Sequence, residues 1–191
     1  MKLNDYKLIL ASNSPRRKEL LSGLDVEYDT RVISDVDETF PETIPLEEVA
    51  VYLAEKKASA YISELKHKEL LITADTVVLI DNIILGKPAN EEESAKMLRA
   101  LSDRTHKVIT GVSLTSSEKQ VSFSDISLVT FGNLIDEEVD YYVSKYKPFD
   151  KAGAYGVQEW IGYIAVEKIK GSYYNVMGLP VFKLFKELKK F

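Results

Sequence analysis

The chain has 191 residues, 45% of them apolar, and its 25 Lys and Arg residues against 30 Asp and Glu give a formal net charge of −5. Such a chain is expected to form one soluble domain, or two small lobes, with a core that needs neither disulfides nor a structural metal. The absence of cysteine excludes thiol chemistry, and with only two histidines a Cys/His zinc site is excluded too. A catalytic metal must then be a hard cation held by oxygen atoms, magnesium or manganese by default.

The acidic balance disfavours nucleic acids and anionic membrane surfaces as partners, because both repel a negatively charged chain. The apolar run near the start is only about four residues long, well short of the roughly 7–15 of a signal peptide. No window approaches the roughly 18 apolar residues of a membrane span. The sequence therefore predicts a cytoplasmic protein.

Alternating helix and strand signals predict a mixed α/β fold. We find no repeat and no linker that would separate autonomous parts, so residues 1–191 are expected to form a single domain. Strands are predicted over residues 7–11, 70–79, 83–85, 107–115 and 121–131. Helices are predicted over residues 15–22, 45–64, 90–101, 137–146 and 180–190.

The first predicted helix has both ends marked, by Ser14 before Pro15 and by Gly23 after the last turn. Its first turn carries Arg16 and Arg17, although cations there oppose the helix dipole. Free backbone N–H groups together with two guanidinium groups would make a phosphate cradle. The alternative is a solvated basic helix start whose side chains turn outward.

The second predicted helix has a lysine inside its apolar stripe. At 100° per residue Lys57 falls in the middle of the stripe and Lys56 at its edge. Lys57 must therefore either extend along the surface to solvent or meet an anion. The stripe comprises Val49, Ala50, Leu53, Ala60 and Tyr61.

A carboxylate interrupts the most apolar strand of the chain. Asp75 lies where strand propensity and burial both disfavour it, so it needs a partner. A two-residue turn at 81–82 would set Thr76 opposite Lys87, which returns Lys87 beside Asp75. A functional pair and a purely structural ion pair between Asp75 and Lys87 both fit this pattern.

Residues 147–178 combine glycines with tyrosines in an unusual density. This texture is typical of backbone that approaches a ligand closely beside aromatic walls, and equally of a tight corner in the fold.

These features, in this order, resemble the Maf family of nucleoside triphosphate pyrophosphatases, also called septum formation inhibitor homologues. The matching blocks are ASNSPRRKELL (11–21), Glu38 in DVDETF, LAEKKA (53–58), ADTVV (74–78), LGKP (85–88), THKVITG (105–111), DKAGAYGVQ (150–158) and GSYYNVMGLP (171–180). Two residues depart from the family pattern, Asp103 before the THKVITG block and Glu159 after Gln158, where glycine is usual.

The resemblance implies a Maf/ITPase-like fold, with a mixed central sheet flanked by helices and two lobes around a cleft. It implies hydrolysis of a nucleoside triphosphate to the monophosphate and pyrophosphate, with a divalent cation (Mg²⁺ or Mn²⁺), by a homodimer. Asp75 would be the catalytic residue, accepting a proton from water or holding the metal, with Glu38 as the second metal carboxylate. The phosphate-binding residues would be Ser12, Arg16, Arg17, Lys57 and Lys87.

The block at 155–158 resembles the branch of the family that prefers dTTP and UTP. Gln158 offers an acceptor and a donor side by side, which match N3–H and O4 of uracil or thymine. Arg16 and Thr76 would share in setting substrate specificity. The alternative role for Gln158 is to cap a strand end.

A different class of function is a non-catalytic nucleotide-binding regulator of cell division. A pure sensor has no need of a carboxylate beside bound phosphates, so Asp75 favours the enzyme. No P-loop pattern occurs in the sequence, which disfavours kinase or motor ATPase chemistry. A nucleic-acid-binding module is the third alternative.

Overall fold

The strands of the chain pair into one mixed sheet, seen in a computed structural model that describes residues 5–33 and 36–191. The strands are β1 (Lys7–Leu10), β2 (Tyr28–Thr30), β3 (Glu69–Ile80), β4 (Ile83–Leu85), β5 (Thr105–Thr115), β6 (Gln120–Phe131) and β7 (Val166–Lys170). They are hydrogen-bonded in the order β2-β1-β3-β5-β6-β7, and β4 pairs with β3. β1 runs parallel to β2 and to β3, whereas β3–β4 and β6–β7 are antiparallel. The predicted mixed α/β class is confirmed.

The described residues also form seven helices, of which the last two follow β7. They are α1 (Pro15–Ser22), α2 (Val49–Ser59), α3 (Glu91–Leu101), α4 (Asp136–Tyr146), α5 (Trp160–Ala165), α6 (Tyr173–Met177) and α7 (Val181–Leu188). Two short 3₁₀ turns occupy Ile62–Glu64 and Ala152–Ala154. None of these helices is long and apolar enough to cross a membrane.

The chain divides into two units. The first unit contains the described residues up to Asp75 together with Thr110–Asp125 and Gly178–Phe191. The second contains Thr76–Ile109 and Ile126–Met177.

The predicted caps and the predicted hairpin are confirmed. Ser14 caps α1 by accepting the Arg17 N–H at 3.4 Å, and Gly23 is the C-cap of the same helix. Asn90, expected as the first residue of the third helix, is instead its N-cap and accepts the Glu93 N–H at 2.9 Å. The turn between β3 and β4 has positive φ at both central residues, 49° and 60°, as a two-residue hairpin requires. Ile80 faces Ile83 and Val78 faces Leu85, which is the register expected from the turn.

The second helix is shorter than predicted. The expected span of 45–64 becomes α2 over Val49–Ser59, because the Ser59 hydroxyl donates to the Lys56 carbonyl at 2.7 Å and the Ala60 N–H bonds only three residues back. The chain tightens there into the 3₁₀ turn. Ala60 consequently lies outside the helix and is exposed, and Ala54 and Ala58 complete the buried stripe instead.

Helix α2 is fixed against the backbone of β5. A Cβ atom at Gly111 would lie 2.3 Å from the carbonyl carbon of Ala50 and 2.3 Å from the Val51 nitrogen. Only a residue without a side chain permits this approach of helix to strand. The position of the last turn of α2, which carries Lys57, depends on it.

The glycines of residues 147–178 pack closely against the chain itself at two positions. A Cβ at Gly162 would lie 1.8 Å from the Val157 carbonyl oxygen, and one at Gly171 would lie 2.6 Å from the Ser127 hydroxyl. At these positions the tight-corner interpretation is correct.

The second unit buries a histidine beside the tyrosine of the glycine-rich segment. His106 is 2% exposed, its Nε2 lies 2.7 Å from the Tyr155 hydroxyl, and its ring meets Phe131 edge to face. Burial lowers the pKa of His106 from 6.5 to about 4, because the charged imidazolium would lose its hydration.

We predict that the free energy of unfolding falls as the pH is lowered from 6.5 towards 4, since the unfolded chain then binds a proton that the folded His106 refuses. The expected loss between pH 8 and pH 5 is about 2 kcal/mol from this group. Urea unfolding at pH 8, 6.5 and 5 measures it. The loss should persist in the control His67→Gln, whose histidine is exposed, and shrink in His106→Gln. Equal pH slopes in the two variants would contradict the assignment.

Candidate active site

The central residue of the site is the buried carboxylate Asp75, the last residue of β3 that belongs to the first unit. Asp75 is 8% exposed and follows Thr73 and Ala74, which are 0% and 2% exposed. The Thr73 hydroxyl donates to the Ala54 carbonyl at 2.7 Å and so ties the strand to α2. The strand therefore presents Asp75 towards the helix that carries Lys57.

Lys57 connects two carboxylates. Its Nζ lies 2.5 Å from Asp75 Oδ1 and 2.8 Å from Glu38 Oε1. The lysine and the aspartate are largely buried, with side chains 17% and 11% exposed, while Glu38 is 44% exposed. The sequence led us to expect Lys57 either to reach solvent or to meet an anion, and it meets these two carboxylates. Asp75 is paired with Lys57, a partner that the hairpin pattern did not predict.

The loop before α2 is attached to the helix by two adjacent ion pairs. Lys56 Nζ lies 2.7 Å from Asp37 Oδ2. Each of these two residues directly precedes a member of the Lys57–Glu38 pair. Asp37 also accepts the Thr39 N–H at 2.9 Å, and these bonds lower the pKa of Asp37 to about 2. Asp37 is committed to this loop, so Glu38 is the acid that reaches Lys57. Asp35, the third acid of the block, lies outside the described residues.

Arg17 ties the basic helix start to the strand. Its Nη1 donates to the Ala74 carbonyl at 2.8 Å and its Nε to the Gly178 carbonyl at 2.9 Å. Burial lowers the pKa of Arg17, an effect that the nearby Asp75 carboxylate opposes, and the guanidinium stays protonated. Two of its five N–H donors therefore bind backbone carbonyls. The sequence predicted Arg17 only as a phosphate ligand and did not indicate this second role.

The rest of the helix start is ordered by serines. Ser12 is buried, and its Oγ accepts the Ser14 N–H at 3.2 Å. Arg16 is half-buried in the first turn, which contains no acidic residue. The positive charge expected from the sequence is thus present at the amino end of α1.

The other predicted site residues belong to the second unit. Thr76 is half-buried on β3, and Lys87 is exposed two residues beyond the end of β4. Gln158 is half-buried in a turn closed by the Glu159 N–H to Gly156 carbonyl bond at 2.9 Å. Its Oε1 atom is buried and has no hydrogen-bond partner in the described part of the chain.

Asp75 and Glu38 form a donor set that fits a hard divalent cation. One oxygen of each carboxylate lies within 2.8 Å of the single Lys57 ammonium, so the two acids already share one cationic partner. No group of three or more His, Asp or Glu side chains arranged to hold a metal occurs within residues 5–33 and 36–191. Two carboxylates are nevertheless the usual protein contribution where substrate phosphates supply the remaining ligands of Mg²⁺.

Comparison with known proteins gives consistent results. The profile of the family described as "Maf-like protein" matches residues 7–191. The chain is 58% identical to a "dTTP/UTP pyrophosphatase" of Parabacteroides distasonis, over 99% of this chain and 98% of that protein. It is 56% identical to the protein of the same description from Porphyromonas gingivalis W83, over 99% of this chain and 96% of the relative.

Solved structures with low sequence identity share the fold. A HAM1 protein from Coxiella burnetii has a TM-score of 0.53 at 18% identity, covering 97% of this chain and 100% of that one. The Staphylococcus aureus Ham1 protein has a TM-score of 0.51 at 20% identity, covering 95% and 99%. These similarities confirm the fold class.

The buried pair leads to a stability prediction. Lys57→Met should lower the free energy of unfolding by about 2 kcal/mol, because Asp75 is left buried without its ammonium. Adding Asp75→Asn should recover most of that loss. Urea unfolding without nucleotide or metal measures both. The control is Lys56→Met, whose exposed partner Asp37 makes the expected cost less than about 1 kcal/mol. Equal losses in the two single variants would contradict the prediction.

Proposed function

The chain belongs to the Maf family, and we propose that it hydrolyses nucleoside triphosphates, with dTTP and UTP preferred, to the monophosphate and pyrophosphate. The observation that carries the proposal is the buried Asp75 carboxylate, held by Lys57 in the same unit as the basic start of α1. The near full-length relatives described as dTTP/UTP pyrophosphatases support the reaction and its substrates. Nothing in these relatives supports the non-catalytic regulator.

Fixed positive charge is the first requirement of this reaction. The triphosphate brings several negative charges, and Arg16, Arg17 and Lys57 offer cations on helices whose positions are set by packing. Ser12 and Lys87 complete the proposed phosphate-binding set. Arg17 is held in place by two carbonyls, so its charge is preorganised when the substrate arrives.

Asp75 is the proposed catalytic residue. Water attacks the α-phosphorus, the bond from that phosphorus to the bridging oxygen breaks, and pyrophosphate leaves with the bonding electron pair. Asp75 accepts the proton of the water or holds the metal.

A divalent cation, Mg²⁺ or Mn²⁺, would be held by Asp75 and Glu38, and when bound it would neutralise phosphate charge and acidify water. Homodimer formation, a cytoplasmic location and the action of residues 1–191 as one Maf-like domain are further parts of the proposal. Their support is the family resemblance and the family match over residues 7–191.

The product identity tests the reaction. With dTTP and Mg²⁺ or Mn²⁺, the chain should release one pyrophosphate for each monophosphate, because the proposal places attack at the α-phosphorus. Pyrophosphate and orthophosphate are followed by separate coupled assays. Orthophosphate as the primary product would overturn the proposed reaction.

Asp75→Asn should lower kcat by about 10³-fold, the usual contribution of a positioned base. The variant should bind dTTP as tightly as the wild type or more tightly, since a negative charge near the phosphates is removed. Steady-state kinetics and calorimetric titration measure the two effects. The control is Asp29→Asn, an exposed carboxylate on β2 of the same unit, which should retain kcat within about three-fold, as expected for a surface substitution.

Base selection should depend on Gln158. Its buried Oε1 is an acceptor suited to N3–H of uracil or thymine, and cytosine presents no donor at that atom. We expect Gln158→Leu to lower kcat/KM for dTTP by about 10- to 100-fold and to change that for dCTP little. A nucleotide panel provides the measurement. Equal wild-type rates on all bases would mean that the side chain has the capping role instead.

A further inference from the structure

The residue that we propose selects the base sits in a turn fastened at both ends to one hydroxyl group. Gln158 is the third residue of the turn Gly156–Glu159, which the 2.9 Å backbone bond closes. The Gly156 N–H donates to the Tyr142 hydroxyl at 3.0 Å. The same hydroxyl donates to Glu159 Oε2 in a short hydrogen bond. Tyr142 therefore bridges the first and last residues of the turn.

Tyr142 is itself fixed. It lies within α4, is fully buried, and its ring stacks on Tyr146 with centroids 5.0 Å apart. Burial raises the pKa of the Tyr142 hydroxyl, so this group is a protonated donor at neutral pH. The hydroxyl uses its single donor on Glu159 and accepts from Gly156, so it has no further donor for another partner.

The carboxylate of Glu159 is held from its other side as well. Its Oε1 lies 3.1 Å from Lys151 Nζ, whose residue is 8% exposed and whose ammonium also lies 2.7 Å from Asp150 Oδ1. Both oxygens of Glu159 thus have a partner that cannot move far. A residue that departs from the usual glycine of the family is here part of a buried network.

The network reaches the Gln158 amide through the space above Gly156. A Cβ atom at Gly156 would lie 2.8 Å from Glu159 Cδ and 3.1 Å from Gln158 Nε2. The two side chains therefore lie side by side over the same glycine. Because Glu159 and Gln158 are consecutive residues of one turn, a displaced Glu159 changes the turn that carries the Gln158 amide.

From this geometry we infer that Tyr142 and Glu159 are positioning residues for base selection, which orient the Gln158 amide by clamping its turn. The inference rests on the proposed function, in which Gln158 reads the uracil or thymine edge. Such a role differs from general support of the fold, because losing it degrades the recognition of one base edge and leaves phosphate binding and bond cleavage in place.

The test uses the full chain with Tyr142→Phe and Glu159→Gln, and compares kcat and KM for dTTP and dCTP. We expect each variant to lower the ratio of kcat/KM for dTTP to that for dCTP by about ten-fold, the effect of roughly one well-placed hydrogen bond. The loss should fall on dTTP, with dCTP hydrolysis nearly unchanged. The matched control is Tyr146→Phe, on the same helix, which should leave the ratio at its wild-type value.

Two outcomes overturn the inference, and a third bears on the proposed function. A fall in dTTP and dCTP hydrolysis by the same factor means a structural role and overturns it. An unchanged ratio in Glu159→Gln, while Gln158→Leu lowers the ratio, overturns it as well, and this comparison stands even where Tyr142→Phe does not fold. Failure of the wild type to form pyrophosphate or to prefer dTTP contradicts the proposed function instead, which the same assays detect before any variant is compared.

Discussion

A carboxylate buried within an apolar strand must be balanced by positive charge, and Asp75 imposes this requirement on the first unit. Lys57 meets it directly, at 2.5 Å, from the last turn of α2. Arg17 adds its charge while holding the carbonyl of the preceding Ala74. The helix start, the strand and the lysine helix are therefore arranged around one acid.

The two units make different demands on their residues. In the first, Lys57 forms an ion pair with Glu38 and Arg17 donates to carbonyls, and in the proposed function these residues act through charge. In the second, the proposed roles of Gln158 and Tyr142 depend on the direction of hydrogen bonds, which requires precise orientation more than charge. Charge suits the polyphosphate common to all nucleotides, and direction suits the base that distinguishes them.

Features that depend on neighbouring residues, such as caps and turns, could be predicted from the sequence. Contacts between residues far apart in the chain could not. The caps Ser14 and Gly23 and the hairpin turn at 81–82 depend on residues near one another in the chain, and all were correct. The helices α5 and α6 were missed because WIGYIA and YYNVM are rich in aromatic and β-branched residues, so tertiary packing decides their conformation.

The candidate site shows the same limit. The sequence shows that Asp75 and Lys57 occupy unusual positions. It does not show that these two residues, 18 apart in the chain, pair with each other. The pairing of Asp37 with Lys56 was missed, although two adjacent acids preceding two adjacent lysines were a signal for it. Glu159 was noticed only as a departure from the family, because its partner Tyr142 comes from another helix.

Gly111 carries no functional group, yet its backbone lies so close to Ala50 that any side chain would push α2 away. Lys57 sits at the far end of that helix, about 10 Å along its axis from Ala50. A substitution at Gly111 would therefore displace Lys57 from Asp75 without changing any charged group. The role of Gly111 is steric, because the absence of a side chain lets the helix lie close enough for the ion pair to form.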